Sequence, residues 1–176
     1  TPVGGGALII FVVTILYFLV TSLMPYLGIE KTSIYPFKKE FQILIFTFLA
    51  FGALGLYDDV RKTFNLKSLK FWGLRFRVKF LFQWILAIIV AAALYLDFGI
   101  EIVNIRFFDV VNLGIFYIPF AAFTIVSFAN AVNISDGLDG LASGLLLICV
   151  VALLIMSSSI LDTTLTIFLG LWIGSL

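Results

Sequence analysis

The sequence predicts an all-α fold, a polytopic transmembrane helical bundle of about six spans with a small extracytoplasmic hairpin. The 176 residues are 62% hydrophobic and only 12% charged, whereas a soluble domain is about 45–50% apolar and about 25% charged. The apolar residues also form runs near the length of about 20 residues that a helix needs to cross a bilayer. Since no aqueous fold could bury this much apolar surface, we expect lipid to solvate much of it.

Six apolar runs account for the predicted spans. They extend from Gly4 to Leu27, Phe41 to Tyr57, Val78 to Leu96, Leu113 to Asn133, Leu138 to Met156 and Thr163 to Leu176. The segment between the third and fourth runs alternates weakly between apolar and polar residues, which predicts the hairpin. No internal repeat or low-complexity tract divides the sequence, so residues 1–176 are predicted to form a single membrane domain.

The basic residues orient these spans. Seven of the 11 Lys and Arg lie between the second span and the start of the third: Arg61, Lys62, Lys67, Lys70, Arg75, Arg77 and Lys79. Because basic loops stay in the cytoplasm, this loop is expected inside, although three Lys between residues 28 and 40 weaken the preference. The alternation of spans then places four carboxylates on the cytoplasmic face: Asp58, Asp59, Asp136 and Asp139.

The remaining composition narrows the chemistry. The chain has no His, so the commonest metal ligand and the commonest base near neutral pH are missing. The net charge of +1 does not point to a nucleic-acid partner, and none is predicted. The carboxylates on the outer side, Glu40 and Asp162 among them, are interpreted as ordinary solvated charges. Cys149 is interpreted as a small buried hydrophobic residue.

The pair Asp58 and Asp59 is the first candidate site. Adjacent carboxylates repel each other, and a divalent cation bound between them would remove that repulsion. Mg²⁺ prefers oxygen ligands and takes phosphate as a further ligand, so both residues are candidate metal ligands. The alternative is a solvated helix end without a ligand, because so short a motif has a high rate of chance occurrence.

The second candidate site is the stretch NAVNISDGLDG, which begins at Asn130. On a helix, residues three positions apart differ in direction by about 60°. Polar residues at this spacing therefore lie along one stripe that winds slowly around the helix. Gly137 and Gly140 permit a tight turn or the close approach of a ligand to the backbone. The alternative is a polar seam between helices, a role that Asn fills better than buried Asp. The polar positions are Asn130, Asn133, Asp136 and Asp139.

Lys79, where the third span starts, belongs to a third candidate site. Lys79 and Gln83 are four residues apart and share a helix face, and a Lys at this height could contact a lipid-borne phosphate. The alternative for the basic loop as a whole is that it sets topology or binds anionic lipid. The small residues from Thr1 to Gly6 either allow close helix packing or face the same cytoplasmic site.

Four segments together resemble the polyprenyl-phosphate N-acetylhexosamine-1-phosphate transferases, glycosyltransferase family 4. Three of them are TPVGGG at residues 1–6, YDDVRK at 57–62 and NAVNISDGLDGLASG at 130–144. The fourth, GLRFRVKFLFQ at residues 73–83, is similar to a segment of the bacterial phospho-N-acetylmuramoyl-pentapeptide transferases and favours that subfamily. In order and spacing, the segments cover essentially the whole chain.

The resemblance implies a reaction that requires Mg²⁺. A membrane lipid, undecaprenyl phosphate, attacks the β-phosphorus of UDP-N-acetylmuramoyl-pentapeptide, and the products are lipid I and UMP. The resemblance implies that Asp58, Asp59 and Asp136 are catalytic residues and candidate ligands of Mg²⁺. It implies a location in the bacterial cytoplasmic membrane, with the site on the cytoplasmic face, and is compatible with a homodimer. The implied substrate-binding residues are Lys79, Asn130, Asn133, Gly137, Leu138 and Asp139.

The family pattern also extends beyond this sequence. A further Asp-containing loop and a His-containing loop are expected after Leu176, and an earlier span and a Lys are expected before Thr1. The chain is therefore interpreted as a fragment that is inactive alone, because a further carboxylate ligand is expected beyond Leu176. Three alternatives stay open: a relative that transfers N-acetylglucosamine-1-phosphate, an ion-coupled transporter with cation ligands at Asp136 and Asp139, and a non-catalytic membrane scaffold.

Overall fold

The computed structural model describes residues 5–28, 32–33, 35–63, 76–105, 109–135 and 140–176. In these residues the chain forms α1 (Gly5–Leu23), α2 (Phe37–Thr63), α3 (Phe76–Phe98), β1 (Ile102–Ile105), β2 (Asp109–Asn112), α4 (Tyr117–Ser135), α5 (Leu141–Ser159) and α6 (Thr163–Ser175). Short 3₁₀ turns follow α1 and precede α4. The predicted all-α bundle with a small hairpin is confirmed.

Five of the described helices, α1 to α5, are long and apolar enough to cross a membrane, whereas α6 has 13 residues. The chain is thus a multi-pass membrane protein. The largest difference from the predicted spans is at α2, which has 27 residues instead of the apolar run 41–57. Hydropathy detects only the apolar part of a helix, and Lys, Glu and Arg at either end favour helix as well. Asp58 and Asp59 therefore lie inside α2, in its last turns, and the helix continues to Thr63.

The chain divides into two compact units, residues 1–66 with 132–176 and residues 67–131. In the first unit α1 packs against both α2 and α6, and α5 packs against α6. The approach of α1 to α2 is close at Gly52, because a Cβ atom there would lie 2.7 Å from Cδ1 of Ile10.

An aromatic cluster forms the core of the first unit. Tyr17 on α1 is fully buried. Its ring stacks on Phe41 of α2 and meets the edge of Phe168 of α6, with ring centroids 5.3 Å apart in both cases. Phe48 and Trp172 extend the cluster along α2 and α6. The three helices are thus joined through rings whose edge-to-face and stacked contacts add to the energy of burial.

In the second unit, β1 and β2 pair in antiparallel fashion, with Ile102 opposite Asn112. Asn112 ties the base of the hairpin, because its Nδ2 donates to Oε1 of Glu101 at 3.2 Å and its Oδ1 accepts from the backbone of Gly114 at 2.8 Å. The predicted hairpin is confirmed, and Arg106, which lies between the two strands in the sequence, is outside the described residues.

The outward faces of the helices are strongly apolar. Phe18, Phe128 and Ile148 are each more than 60% exposed, which only a lipid environment solvates well. Cys149 on α5 is also exposed, so the prediction that it is buried is wrong. The reason is that α5 is apolar on every side, and such a sequence does not indicate which face packs against protein.

The aromatic core predicts a stability difference between two neighbouring positions. We expect Tyr17→Ala to destabilise the protein by about 3–5 kcal/mol, because it leaves a cavity. Tyr17→Phe loses only the hydroxyl hydrogen bond to the backbone oxygen of Thr164, which contributes about 1 kcal/mol. Phe18→Ala, on the lipid-facing side, is the control and should change stability by less than about 0.5 kcal/mol. Thermal unfolding in detergent measures all three, and equal losses for Tyr17→Ala and Phe18→Ala would contradict this core.

Candidate active site

Asp58 and Asp59 lie in the last turns of α2, and both are half-buried. Consecutive residues on an α-helix point about 100° apart, so the two carboxylates face different directions. Asp59 lines a cavity, and Asp58 is not among the residues around it. The geometry therefore separates the two members of a pair that looks equivalent in the sequence.

The cavity beside Asp59 has a volume of about 610 Å³ and lies within the first unit. Its walls are apolar, and Asp59 is the one charged residue among the described residues that line it. The stripe on α2 follows spacings of three and four residues, which is one face of a helix. It consists of Leu44, Thr47, Phe48, Phe51, Gly52, Gly55, Leu56 and Asp59.

Other elements complete the wall near Asp59. Gly6 at the start of α1 and Val132 near the end of α4 both line the cavity. Gly6 is the last residue of the TPVGGG segment, whose residues 1–4 lie outside the described part of the chain. An apolar cavity that carries a carboxylate suits an amphiphilic ligand, with the apolar part inside and a polar head near Asp59.

Asn130 makes a partly buried polar contact in the second unit. Its Nδ2 donates to Oε1 of Gln83 on α3 at 3.1 Å and to the backbone oxygen of Val126 at 2.8 Å. Both amide protons are used, and Gln83 is only 4% exposed. Asn130 thus takes part in a polar contact between helices, which is the alternative role that the sequence allowed for it. Its contact with substrate stays a prediction.

The contact between Gln83 and Asn130 lies at one end of two buried stripes. On α3, Ala87 and Ala91 follow Gln83 at intervals of four residues and are fully buried. On α4, Ala122 and Val126 precede Asn130 at the same interval and are buried as well. Ala87, Ala91 and Ala122 are small residues of the kind found where helices pack in membranes, so Gln83 and Asn130 continue the buried faces of α3 and α4.

The structure describes only some of the other predicted substrate-binding residues. Lys79 is half-buried, one turn before Gln83, and Asn133 is exposed in the last turn of α4. Gly140, the N-cap of α5, has a φ of 83°, a conformation that favours glycine. Four of the predicted residues lie outside the described part of the chain: Asp136, Gly137, Leu138 and Asp139.

A metal centre is not assembled by the described residues, which hold no group of three His, Cys, Asp or Glu in reach of one ion. The described residues omit Asp136. Asp58 and Asp59 offer the carboxylate oxygens that Mg²⁺ prefers, so they fit the predicted ion by donor type. Their role as metal ligands stays a prediction.

Two carboxylates were misjudged from the sequence. Glu40 and Asp162 were expected to be solvated, but Glu40 is 7% and Asp162 4% exposed. Each lies where a helix begins, Glu40 in the first turn of α2 and Asp162 as the N-cap of α6. The sequence Asp-Thr-Thr-Leu is a helix-start signal that could have located Asp162, whereas burial of both side chains depends on tertiary packing.

Comparison with known proteins identifies relatives. The profile of the family described as Glycosyl transferase family 4 matches residues 41–176. A phospho-N-acetylmuramoyl-pentapeptide-transferase of Caldanaerobacter subterraneus is 38% identical over 100% of this chain, which covers 50% of that relative. Proteins of the same name from Aquifex aeolicus and Borrelia garinii are 39% and 37% identical over 82% and 89% of this chain. The chain covers 36% and 41% of those two relatives, and so spans about half the length of its curated relatives or less.

The hydrogen bond between the two amides predicts a non-additive pair of substitutions. Gln83→Leu removes the acceptor and leaves an Asn130 proton unpaired in an apolar setting, so we expect a loss of about 1–2 kcal/mol. Gln83→Leu combined with Asn130→Leu should recover part of that loss, because no unpaired amide remains. Thr124→Val, which removes a hydroxyl bonded to its own helix, is the control. Thermal unfolding of the set tests this, and a neutral Gln83→Leu would disprove the contact.

Proposed function

The chain belongs to glycosyl transferase family 4, and from that membership we propose that it takes part in transferring phospho-N-acetylmuramoyl-pentapeptide from its UDP-linked form to undecaprenyl phosphate. The products are lipid I and UMP. Three relatives that carry the name of this transferase support the choice of substrates. The structural observation that carries the proposal is Asp59 in the wall of an otherwise apolar cavity.

The cavity suits the lipid substrate. A polyprenyl phosphate is an amphiphile with a long apolar chain and a charged head, and the apolar walls of the cavity match the chain. The stripe on α2 leads along the helix to Asp59, so a chain in the cavity would bring its phosphate toward the last turns of α2. These turns carry both Asp58 and Asp59.

The reaction needs positioning and charge neutralisation more than a strong base. The lipid phosphate is already ionised near neutral pH, so its oxygen can attack the β-phosphorus while the bond to the UMP oxygen breaks, and the absence of His is no obstacle. Mg²⁺, when bound, would neutralise charge on the diphosphate and on the departing UMP. Asp58, Asp59 and Asp136 are the proposed ligands and catalytic residues, and Asp59 is the one best placed to meet the lipid head.

The nucleotide half of the proposed site follows from the family motif. Asn133 and Asp136 are proposed to face the nucleotide and its diphosphate, and Gly137, Leu138 and Asp139 to form the uridine pocket. Lys79 is proposed to contribute a positive charge that attracts a phosphate.

The nearest rival is a family member that transfers N-acetylglucosamine-1-phosphate, and turnover of the two UDP-sugars by the full-length protein distinguishes them. An ion-coupled transporter is less compatible with membership of a transferase family. It would need Asp136 at midmembrane depth, where a Cys placed at that position would be shielded from aqueous reagents on the cytoplasmic side.

The two Asp residues predict a loss of turnover in the full-length protein. We expect Asp58→Asn and Asp59→Asn each to lower kcat at least about a hundredfold, because each removes a charge that acts on the reacting groups. Since Asp59 lines the cavity, Asp59→Asn should also change KM for the lipid. Glu101→Gln in the hairpin is the control and should leave kcat unchanged. Steady-state kinetics measure this, and unchanged turnover in both Asp variants would favour a non-catalytic scaffold.

A substitution at Gly55 tests whether the cavity holds the lipid chain. Gly55 lines the cavity, and no atom lies within 4 Å of a Cβ built there. A Cβ atom therefore fits at this position, and the ring of Gly55→Phe should occupy the cavity and raise KM for polyprenyl phosphate about tenfold, which corresponds to about 1.4 kcal/mol of lost binding. Ala53→Phe, an exposed position outside the cavity wall, is the matched control. Equal changes in KM for both substrates would argue against a lipid site here.

A further inference from the structure

The two residues of the hydrogen bond between Gln83 and Asn130 are close in sequence to residues of the proposed nucleotide half of the site. Gln83 is four residues after Lys79 on α3, and Asn130 is three residues before Asn133 on α4. Lys79 and Asn133 are proposed to act on the nucleotide sugar, and Asn130 is predicted to contact substrate. Gln83 is the side chain to which Asn130 bonds, so it can influence the substrate through Asn130.

The backbone oxygen of Val126 determines which end of the Asn130 amide faces the protein. A backbone oxygen can only accept a hydrogen bond, so the Asn130 atom that lies 2.8 Å from it has to be the donor, Nδ2. The same Nδ2 is 3.1 Å from Oε1 of Gln83. Turning the amide over would place Oδ1 against the Val126 oxygen, where neither atom has a proton to share. The two partners therefore select one orientation of the Asn130 amide.

Gln83 offers its acceptor atom from an enclosed side chain. The residue is 4% exposed and continues the buried face of α3 that includes Ala87 and Ala91. Side chains enclosed by protein occupy few rotamers, whereas Asn130 is only half-buried. Without the bond to Gln83, the Asn130 side chain would keep a single hydrogen bond, and that bond is to its own helix. Gln83 thus supplies the contact that ties the Asn130 side chain to a second helix.

The accessible end of the Asn130 amide is its oxygen. Both hydrogen bonds of this side chain use Nδ2, and Oδ1 accepts none from the described residues. Oδ1 is not among the buried side-chain atoms of the described residues that lack a partner, so it is open to solvent. Asn130 can therefore accept a hydrogen bond from a ligand, while its N–H groups are directed into the protein.

An accepting oxygen distinguishes the two proposed substrates. A nucleotide sugar carries N–H and O–H groups on its base, its ribose and its amino sugar, and each of these groups can donate to Oδ1. The fully ionised head of a polyprenyl phosphate carries acceptor oxygens only, which Oδ1 would repel. An Asn130 side chain held in this orientation therefore favours contact with the nucleotide sugar over contact with the lipid phosphate.

We propose that Gln83 is a positioning residue for the nucleotide sugar and that it acts through Asn130. By accepting a hydrogen bond from Nδ2, Gln83 keeps Oδ1 of Asn130 directed toward the substrate, where it accepts from an N–H or O–H group of the UDP-sugar. Gln83 does not touch the substrate itself. The inference rests on the proposed function, because it requires a nucleotide sugar near the start of α3 and the end of α4.

Binding of UDP-N-acetylmuramoyl-pentapeptide to the full-length protein in detergent tests the proposal. Calorimetry without the lipid substrate measures Kd in the absence of turnover. We expect Gln83→Leu to raise Kd about fivefold, because the Asn130 amide loses the contact that orients it. Asn130→Leu removes Oδ1 and should raise Kd about tenfold. The double variant should equal Asn130→Leu alone, because a residue that acts only through Asn130 has no effect once Asn130 is replaced.

Thermal unfolding of the same variants separates positioning from a purely structural role. The double variant is expected to regain part of the stability that Gln83→Leu loses, so a purely structural effect on Kd would be relieved in it. Positioning predicts instead that its Kd stays high. Thr124→Val, which removes a hydroxyl bonded to its own helix, is the control and should keep the wild-type Kd. If Gln83→Leu does not fold, Gln83→Met, which has a similar length and no acceptor oxygen, takes its place.

Steady-state kinetics supply a second readout. Gln83→Leu should raise KM for the UDP-sugar and leave both KM for undecaprenyl phosphate and the dependence on Mg²⁺ unchanged. Equal changes in the two KM values, a changed Mg²⁺ dependence, or a double variant whose Kd differs from that of Asn130→Leu overturns the proposal. Wild-type protein that transfers neither UDP-sugar contradicts the proposed function, and the inference falls with it. Normal wild-type transfer with an unaffected Gln83→Leu overturns the inference alone.

Discussion

Lipid offers no hydrogen-bond partners, so every polar group inside the bilayer has to find one within the protein. The structure meets this constraint in two ways. Hydroxyl groups on the helices bond back to their own backbone, as Thr14 does to Ile10 at 2.6 Å. Groups that face another helix bond across the interface, as Asn130 does to Gln83 and Tyr17 does to the backbone of α6. These contacts restrict the rotation of each helix about its axis relative to its neighbour, which apolar packing alone does not determine.

The same constraint concentrates charge near the ends of α2. Between Glu40 and Asp58 the helix has no charged residue, because such a residue would face lipid or the apolar core. At one end, Asp59 adds a carboxylate to an apolar cavity, which suits an amphiphile. At the other end, Glu40 is buried and accepts a hydrogen bond from the hydroxyl of Ser33. One helix thus carries carboxylates in two different environments, one beside an apolar cavity and one bonded to a hydroxyl group.

The sequence predicted the bundle and hairpin because transfer from water to lipid depends on composition and segment length, which are local properties. It did not predict which face of each helix packs, since helices that are apolar on all sides give no periodic signal. This explains the error at Cys149. The burial of Glu40 and Asp162 was missed because it arises from contacts between distant segments. The difference between Asp58 and Asp59 required the rotational position of α2, which the motif alone does not contain.

The rotational position of α2 also restricts how the chain can vary in evolution. The cavity wall between Leu44 and Asp59 keeps the spacing of a continuous helix. Inserting or deleting one residue between Phe48 and Asp59 would turn the end of α2 by about 100° relative to the aromatic core. Asp59 would leave the cavity wall and a neighbouring residue would take its position. Side chains along this segment can be exchanged for others of similar size, but its length is fixed, so genuine relatives should align here without gaps.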